Sequence, residues 1–599
     1  MSHSTDNERA VYWPVVRTDI GVEPRVGHLF TSPLPPLTSK DVNRGPSYLV
    51  GFTPDHIYIV ADGARSQSDD GGCAACVRTH LLRRAGHYRP AKAGSALKPD
   101  IKLWDLAGPA TTALISSVLA RWQHSPPQIG TVAAIDRLTL TMDINSAPPA
   151  VNCSRCSASP GPTLPILNDP LSSTKGLGPS RVNRPLPTTL ESDYANRSSL
   201  FVGPLVDLDG PIPAVQIGLP LADGSIEPGV GRNPVVSVAR STAVLEGLER
   251  YASLHHSVSG PAVTASLTEL QQSAIDPMTL GYHSASTYRR EDLPFTPLEP
   301  NERVRWAEVA DIGSGQTRMV PERTLYWNVR DHCRAPFFYD TSNGFALGQT
   351  VDEATLHGVL ELVERDAFLL TWHLRLRLPR IQISNPEEKI SLLLQRIEFI
   401  TGFSVSLFWA AMDTNIPVVL ALARRDASAG PCTFMSAGSS LSPSAAAQSA
   451  ATEVASILTA ITRSFDDSRE RIDRLEADHS EVKTMTDHVL LGSLPTSAGW
   501  YDFLTEGPQE TVYLEDLEHR YQSGPSVTDD LNYVASELER AGLRAYSADL
   551  TVPELRWRQL ACTRALVPGL IPMTFGYGMN RFVGLPRIYN PHLPYRSLL

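Results

Sequence analysis

Apolar positions along this chain follow two rhythms. In residues 238–256, 351–373, 387–400, 443–464 and 528–541 they recur every three to four positions, the spacing of helices that lay one face on a core. Shorter runs read as strands: FVGPLVDL at 201–208, AVQIGL at 214–219, FSVSLFWAAM at 403–412 and IPVVLALARR at 416–425. Nearer the N-terminus, SYLVGFTPDHIYIVADG (47–63) alternates like a strand around HIYIV. A basic turn, RTHLLRRAGHYR, then leads to a periodic helix at 110–123 and an alternating run at 131–144. Between 157 and 190 Pro, Gly, Ser and Thr take over, which places a linker at 161–190 between a domain at 1–160 and a larger α+β domain at 191–599. Residues 465–484, FDDSRERIDRLEADHSEVKT, read as a solvated mixed-charge helix or a mobile segment.

Composition narrows the class. The 599 residues are 42% hydrophobic and 20% charged, a globular balance with room for two to four domains. A net charge of −11 with no basic tract argues against nucleic acid as a partner. The longest clean apolar run is IPVVLALA (416–423), too short to span a membrane, and the N-terminus lacks an apolar signal core, so a cytoplasmic protein with no membrane partner is expected. Four of the seven cysteines form two C-x-x-C pairs, Cys73/Cys76 and Cys153/Cys156. Together they supply the four thiolates of a closed, structural zinc site; chance pairs or a redox dithiol are the alternative. The intervening 76 residues are long for a zinc ribbon.

The chemistry concentrates in two greasy helices. STAVLEGLERYASLHH carries Glu246, Glu249 and Arg250, and ATLHGVLELVERDAFLLTWH carries Glu361, Glu364 and Arg365, both as E-x-x-E-R. A chain of this length holds that pattern about 0.1 times by chance at average composition. Exposed i,i+3/i+4 charge pairing explains one copy; two copies in apolar helices call for more. Positions i, i+3 and i+4 share a sector, so the acids sit at a core edge where one arginine cannot neutralise two carboxylates. With Glu453 in the Ala-rich SAAAQSAATEVASIL, five carboxylates are available for magnesium, which joins carboxylates to substrate phosphates, and Arg250 and Arg365 would contact phosphate oxygens. Neither a Walker loop nor G-x-G-x-x-G ahead of a helix is present, and FGYGMNRFVG (575–584) reads as a turn. His255, His357 and His373 lie near these helices and read as structural histidines rather than bases.

From about 187 to 599 these residues resemble the YcaO proteins, specifically the cyclodehydratase D components that form thiazolines and oxazolines in ribosomally made peptides. STAVLEGLERYA is similar to the family's first nucleotide and magnesium helix, TSNGFALGQTVDEATLHGVLELVERDAFLLTW to the second, and SPSAAAQSAATEVAS to the third. Residues 549–587 resemble the C-terminal strand-and-loop segment. The N-terminal part resembles the truncated ubiquitin-activating-enzyme-like α/β domain often fused to these enzymes, whose widely separated knuckles hold zinc and which does not adenylate. The resemblance implies ATP and Mg2+ on Glu246, Glu249, Glu361, Glu364 and Glu453, with Thr242, Arg250, Arg365 and Ser456 as further nucleotide contacts. It implies phosphorylation of a peptide carbonyl oxygen after attack by Cys, Ser or Thr. Thr242 stands where the family favours Ser, and Ser456 where it favours Gln. The family's proline-rich tail reaches the active site; here Pro591 and Pro594 are kept and the chain runs on to Leu599. A precursor peptide with a leader is the implied partner. Only 72 residues precede the first knuckle, which points to a separate leader-binding protein; family members are often dimers, so a homodimer is the assembly to look for. Thioamide or amidine formation, or a non-catalytic docking scaffold, are the competing readings.

Overall fold

The run IYIVA that suggests an alternating strand is apolar on both faces because a helix covers each one. Strand His56–Asp62 places Ile57, Ile59 and Ala61 against helix Gly108–His124, while Tyr58 and Val60 pack toward helix Ala74–Arg84. In this computed structural model the residues described are 25–28, 47–52, 55–62, 71–84, 108–151, 153, 175, 180–221, 224–255, 262–327, 335–426, 430–521, 524–590 and 593. The expected sites Cys156, Pro591 and Pro594 lie outside them.

The N-terminal sheet runs Arg25–His28, Ser47–Phe52, His56–Asp62, Thr131–Asp136, Met142–Ser146, with the first pair parallel and the rest antiparallel. Two expectations change here. RTHLLRR is the C-terminal half of helix Ala74–Arg84 rather than a turn, because Val77, His80 and Leu81 form a buried stripe at helical spacing. The run at 131–144 folds back as a hairpin: Asp136 Oδ1 accepts from the amides of Leu138 and Thr139, both at 2.9 Å.

Three further sheets build the remainder. A three-stranded sheet holds Val202–Asp207, Ala214–Pro220 and Ile226–Arg232; a six-stranded sheet includes Phe345–Gly348 and Ala561–Leu566; a five-stranded sheet starts at Thr433–Ser439 and includes Val418–Arg424. Three helices cover them: the first helix, Val236–Ser253; the second, Val351–Leu374; and the third, Pro443–Ser464. Each follows a glycine-bearing strand and has its own core. The first packs Val244, Leu248 and Tyr251 on Val215 and Ile217. The second lies between the larger sheets, with Leu356, Val359, Leu360 and Val363 against Phe408, Leu420 and Ala565. The third lays Ala446, Ala450, Val454 and Leu458 on Val419 and Ala421.

The segment expected to be solvated is partly core: helix Arg469–Ala477 buries Ile472 and Leu475 while its charged residues face out. Residues 180–190 lie along the C-terminal body, with Val182 and Leu190 buried and Arg184 bonded to Gln349 at 2.7 Å. Among the described residues no helix is long and apolar enough to cross a membrane.

Candidate active site

The first helix reaches its place through close backbone packing. Strand Ile226–Arg232 runs against it with glycine at alternate positions, and a Cβ at Gly231 would sit 1.8 Å from the Ala239 carbonyl oxygen. That approach lets the Val230 amide donate to Glu246 Oε2 at 3.0 Å. The second helix starts at Thr350, whose hydroxyl accepts from the Glu353 amide at 3.1 Å, and the third starts at Ser442 with Pro443 in its first turn.

These starts bring the expected acids together. Arg250 lies 3.2 Å from Glu246, 3.8 Å from Glu249 and 4.0 Å from Glu227; Arg365 lies 2.6 Å from Glu364 and 3.6 Å from Glu361. Burial, then the charges of Glu361 and Glu246, outweigh Arg250 and push Glu249 up to about 8. Burial with Glu453 and Glu361, opposed by Arg365, pushes Glu364 up to about 7. The Glu249–Glu361 repulsion joins the first helix to the second, and the Glu364–Glu453 repulsion joins the second to the third. Arg250 and Arg365 are both raised: burial alone would lower them, but the surrounding glutamates more than compensate.

Other expected residues stand at the edge of this cluster. The Thr242 hydroxyl bonds back to the Val238 carbonyl at 2.9 Å on the exposed side of the first helix. Ser456, one turn beyond Glu453, accepts from Arg232 Nε at 2.5 Å, and Arg232 lies 3.8 Å from Glu453. His255 and His357 bond to the carbonyls of Tyr251 and Ser180 at 2.6 and 3.2 Å, as structural histidines do. Glu227, Arg232 and Arg181 join the cluster without having been expected from the sequence. Arg181 pairs with Glu353 at 2.8 Å, and its charge reaches Glu249. Charged residues at both ends of the glycine-alternating strand IEPGVGR were the available signal for Glu227 and Arg232.

The donor set fits a hard cation. Six carboxylates (Glu227, Glu246, Glu249, Glu361, Glu364, Glu453) lie around the guanidiniums of Arg232, Arg250 and Arg365, with Arg181 at the edge, and Arg250 Nε is buried without a hydrogen-bond partner among the described residues. Such an excess of partly buried oxygen ligands suits Mg2+. A second, softer set lies at the start of helix Ala74–Arg84, where the buried sulfurs of Cys73, Cys76 and Cys153 fall within 4.8 Å of one another. Cys73 is 3.8 Å from Cys76 and 3.6 Å from Cys153. Gly72 makes room there, since a Cβ would lie 2.3 Å from the Pro148 carbonyl oxygen. Three clustered sulfurs suit zinc. The two sites are wired together: Glu554, fully buried, accepts from the Val151 amide at 2.7 Å and from the Tyr251 hydroxyl at 2.5 Å, and Arg83 donates to the same hydroxyl.

Residues 231–571 match the family model described as YcaO cyclodehydratase, ATP- and Mg2+-binding. An uncharacterised protein of Methanothermobacter thermautotrophicus is 26% identical over 371 residues, covering 59% of this chain and 86% of that protein. The fold is similar to that of a heterocyclase solved with substrate and cofactor, with a TM-score of 0.67 at 17% identity over 92% of this chain and 78% of that one. It is also similar to the heterocyclase TruD, with a TM-score of 0.59 at 19% identity over 91% of this chain and 72% of that one.

Proposed function

This chain belongs to the YcaO family, and from that premise we propose that it is an ATP- and Mg2+-dependent cyclodehydratase. Its substrates are Cys, Ser or Thr residues of a ribosomally made peptide, which it converts to thiazolines or (methyl)oxazolines. The observation that supports this reading is the excess of electrostatically coupled carboxylates over guanidiniums where the three helices meet, which suits a polyanion brought in with divalent cations.

In this reading Glu246, Glu249, Glu361, Glu364 and Glu453 hold Mg2+, which supplies charge neutralisation for the triphosphate. Arg250 and Arg365 bind phosphate oxygens, and the Thr242 and Ser456 hydroxyls line the rim. The peptide's thiol or hydroxyl adds to the preceding carbonyl carbon. The resulting oxyanion takes the γ-phosphoryl group of ATP, and ADP leaves. The amide nitrogen then loses its proton, the C–O bond breaks, and phosphate departs with the former carbonyl oxygen. The two hydrogens lost, one from the nucleophile and one from the amide, leave as protons, so the product is lighter by one water. Carboxylates and arginines act here through orientation and charge, with no covalent enzyme intermediate.

The same reading divides the chain into an N-terminal zinc domain (1–160), a linker (161–190) and a catalytic domain (191–599). Cys73, Cys76 and Cys153, with Cys156, hold structural zinc. The tail bearing Pro591 and Pro594 is assigned to the active site; Arg587 just before it pairs with Asp366 at 2.8 Å, on the second helix beside Arg365. A separate leader-binding protein delivers the peptide, and a homodimer is the proposed assembly. The test is intact-mass analysis of a Cys/Ser/Thr-rich precursor with ATP and Mg2+, with and without the candidate leader-binding protein. A loss of one water per ring, with label from an 18O-carbonyl peptide appearing in phosphate, supports it. Oxygen exchanged for sulfur when sulfide is added moves the chemistry to thioamide formation, and no mass change under any condition leaves the scaffold reading.

A further inference from the structure

Beside the carboxylate cluster lies a partly open cleft, and Arg365 lines both. Its lining mixes apolar residues, Phe338, Leu362 and Ile571 among them, with Asn343, Arg365 and Arg564. Two donors of that lining are buried with no hydrogen-bond partner among the described residues, Arg564 Nε and the side-chain amide of Asn343. Leaving a buried amide donor unpaired is costly, so its retention in an ordered loop calls for a ligand that completes it.

The loop around Asn343 is fixed on every other side. Arg564 donates to the Asn343 carbonyl, to the Thr341 carbonyl at 3.3 Å and to the Asp340 carboxylate at 3.1 and 3.2 Å, and its guanidinium stacks 4.4 Å from the Phe345 ring centroid. Gly344, with φ of +86°, turns the chain so that its amide donates to Glu361 Oε2 at 3.0 Å while its carbonyl accepts from the Ala565 amide at 2.7 Å. Asn343 is thus held one residue from the backbone amide that binds Glu361, and it lines a cleft that also reaches Arg365.

We propose that this cleft receives the peptide segment being cyclised, as an extended chain with apolar neighbours on the Phe338 side. Asn343 is then a catalytic residue whose side-chain N–H donates to the carbonyl oxygen as that oxygen becomes an oxyanion. Arg564 is a positioning residue that sets the loop. The inference rests on the cyclodehydratase reading above. A neutral donor fits this role, because it stabilises charge that develops on oxygen without blocking transfer of that oxygen to phosphorus.

The experiment compares wild type with Asn343→Ala and the isosteric Asn343→Asp, measuring ring formation by intact mass, ATP affinity by calorimetry, peptide-independent ATP hydrolysis and the melting temperature. The expected result is a fall of roughly 100-fold in kcat for ring formation in both variants, the scale of losing one preorganised oxyanion donor. In Asn343→Ala the ATP affinity and the melting temperature stay near wild type. Ring formation in either folded variant within about 2-fold of wild type overturns the proposal. So does a loss of ATP affinity that matches the loss of rate, which would assign the amide to the nucleotide. Wild type that forms no ring sinks the underlying reading instead, and needs no variant to detect it.

Discussion

Binding of preformed MgATP should release protons, and the number is set by the two raised carboxyls. With Glu249 near 8 and Glu364 near 7, both lie above the 4.5 of an unperturbed glutamate. Without cation, the fold is therefore favoured while these groups are neutral, below pH 4.5, and loses that contribution as pH rises through 7 and 8. Their side chains are 21% and 12% exposed, so screening by water is modest, and ionising each costs on the order of 3–5 kcal/mol. A divalent cation in the cluster reverses the balance by requiring the ionised form. At pH 7 a carboxyl near 8 is about 90% protonated and one near 7 about half, so binding expels about 1.4 protons, falling to about 0.6 at pH 8 and about 0.1 at pH 9. Affinity for MgATP should accordingly rise about 10-fold between pH 7 and 8. Calorimetric titration in buffers of different ionisation enthalpy reads the proton count from the slope of observed heat against buffer enthalpy. Glu249→Gln should lower it by about 0.9 at pH 7. A zero slope at pH 7, or proton uptake, would refute the account of the cluster as neutralised carboxyls awaiting a cation.

Metal analysis should find one zinc per chain, lost together with thermal stability in Cys73→Ser. His283, whose Nε2 accepts from the Tyr339 amide at 2.9 Å, is held down to about 4 by burial and then by Arg581. Its contribution is full above pH 6.5 and fades as pH falls through 4, so urea unfolding at pH 7 and pH 4 should show wild type losing about 3 kcal/mol relative to a His283→Gln variant over that interval, whatever the carboxyls contribute to both. Gly231→Ala forces a methyl against the Ala239 carbonyl and should lower both the melting temperature and MgATP affinity, because the strand and the first helix must part. A melting curve like that of wild type would show that the strand yields without moving the helix.

Much of the site was written in the chain because its signals are local. Two E-x-x-E-R helices, a third with one acid, and two C-x-x-C pairs can each be read without knowing what they touch. The helix expected at 443–464 is Pro443–Ser464, since Ser442 and Pro443 mark its start. The failures also have local causes. RTHLLRR reads as a basic turn, yet its arginines flank a buried stripe, and Arg83 and Arg84 reach across to the first helix and to the carbonyls of Asn196 and Phe201. FDDSRERIDRLEADHSEVKT hides Ile472 and Leu475 among charges because two apolar positions three apart make a weak period. Asn343 had no legible role, since an unpartnered amide is a property of the folded loop alone.

Placing six acids within reach of one another is unfavourable in any cation-free state, so something must prevent the helices from drifting apart. Each helix is gripped separately. Gly231 meets the backbone of Ala239 on the first helix, Gly344 meets Gly358 on the second, and Gly438 meets Ala446 on the third, all at separations that leave no room for a Cβ. Behind those contacts each helix buries its own apolar side chains in a distinct core. A fully buried Leu, Val or Ile contributes about 1.5–3 kcal/mol, and Val244, Leu248 and Tyr251 on the first helix, with three or more such residues on each of the others, hold the helices against the repulsion of the acids. Separate anchoring explains why five of the six acids can be spread over three helices, none carrying more than two, with Glu227 on strand Ile226–Arg232; the shared charge appears only where these elements meet. Cation binding then completes an arrangement that the cores already hold, instead of assembling it, and this is why MgATP should expel protons without large changes in secondary structure.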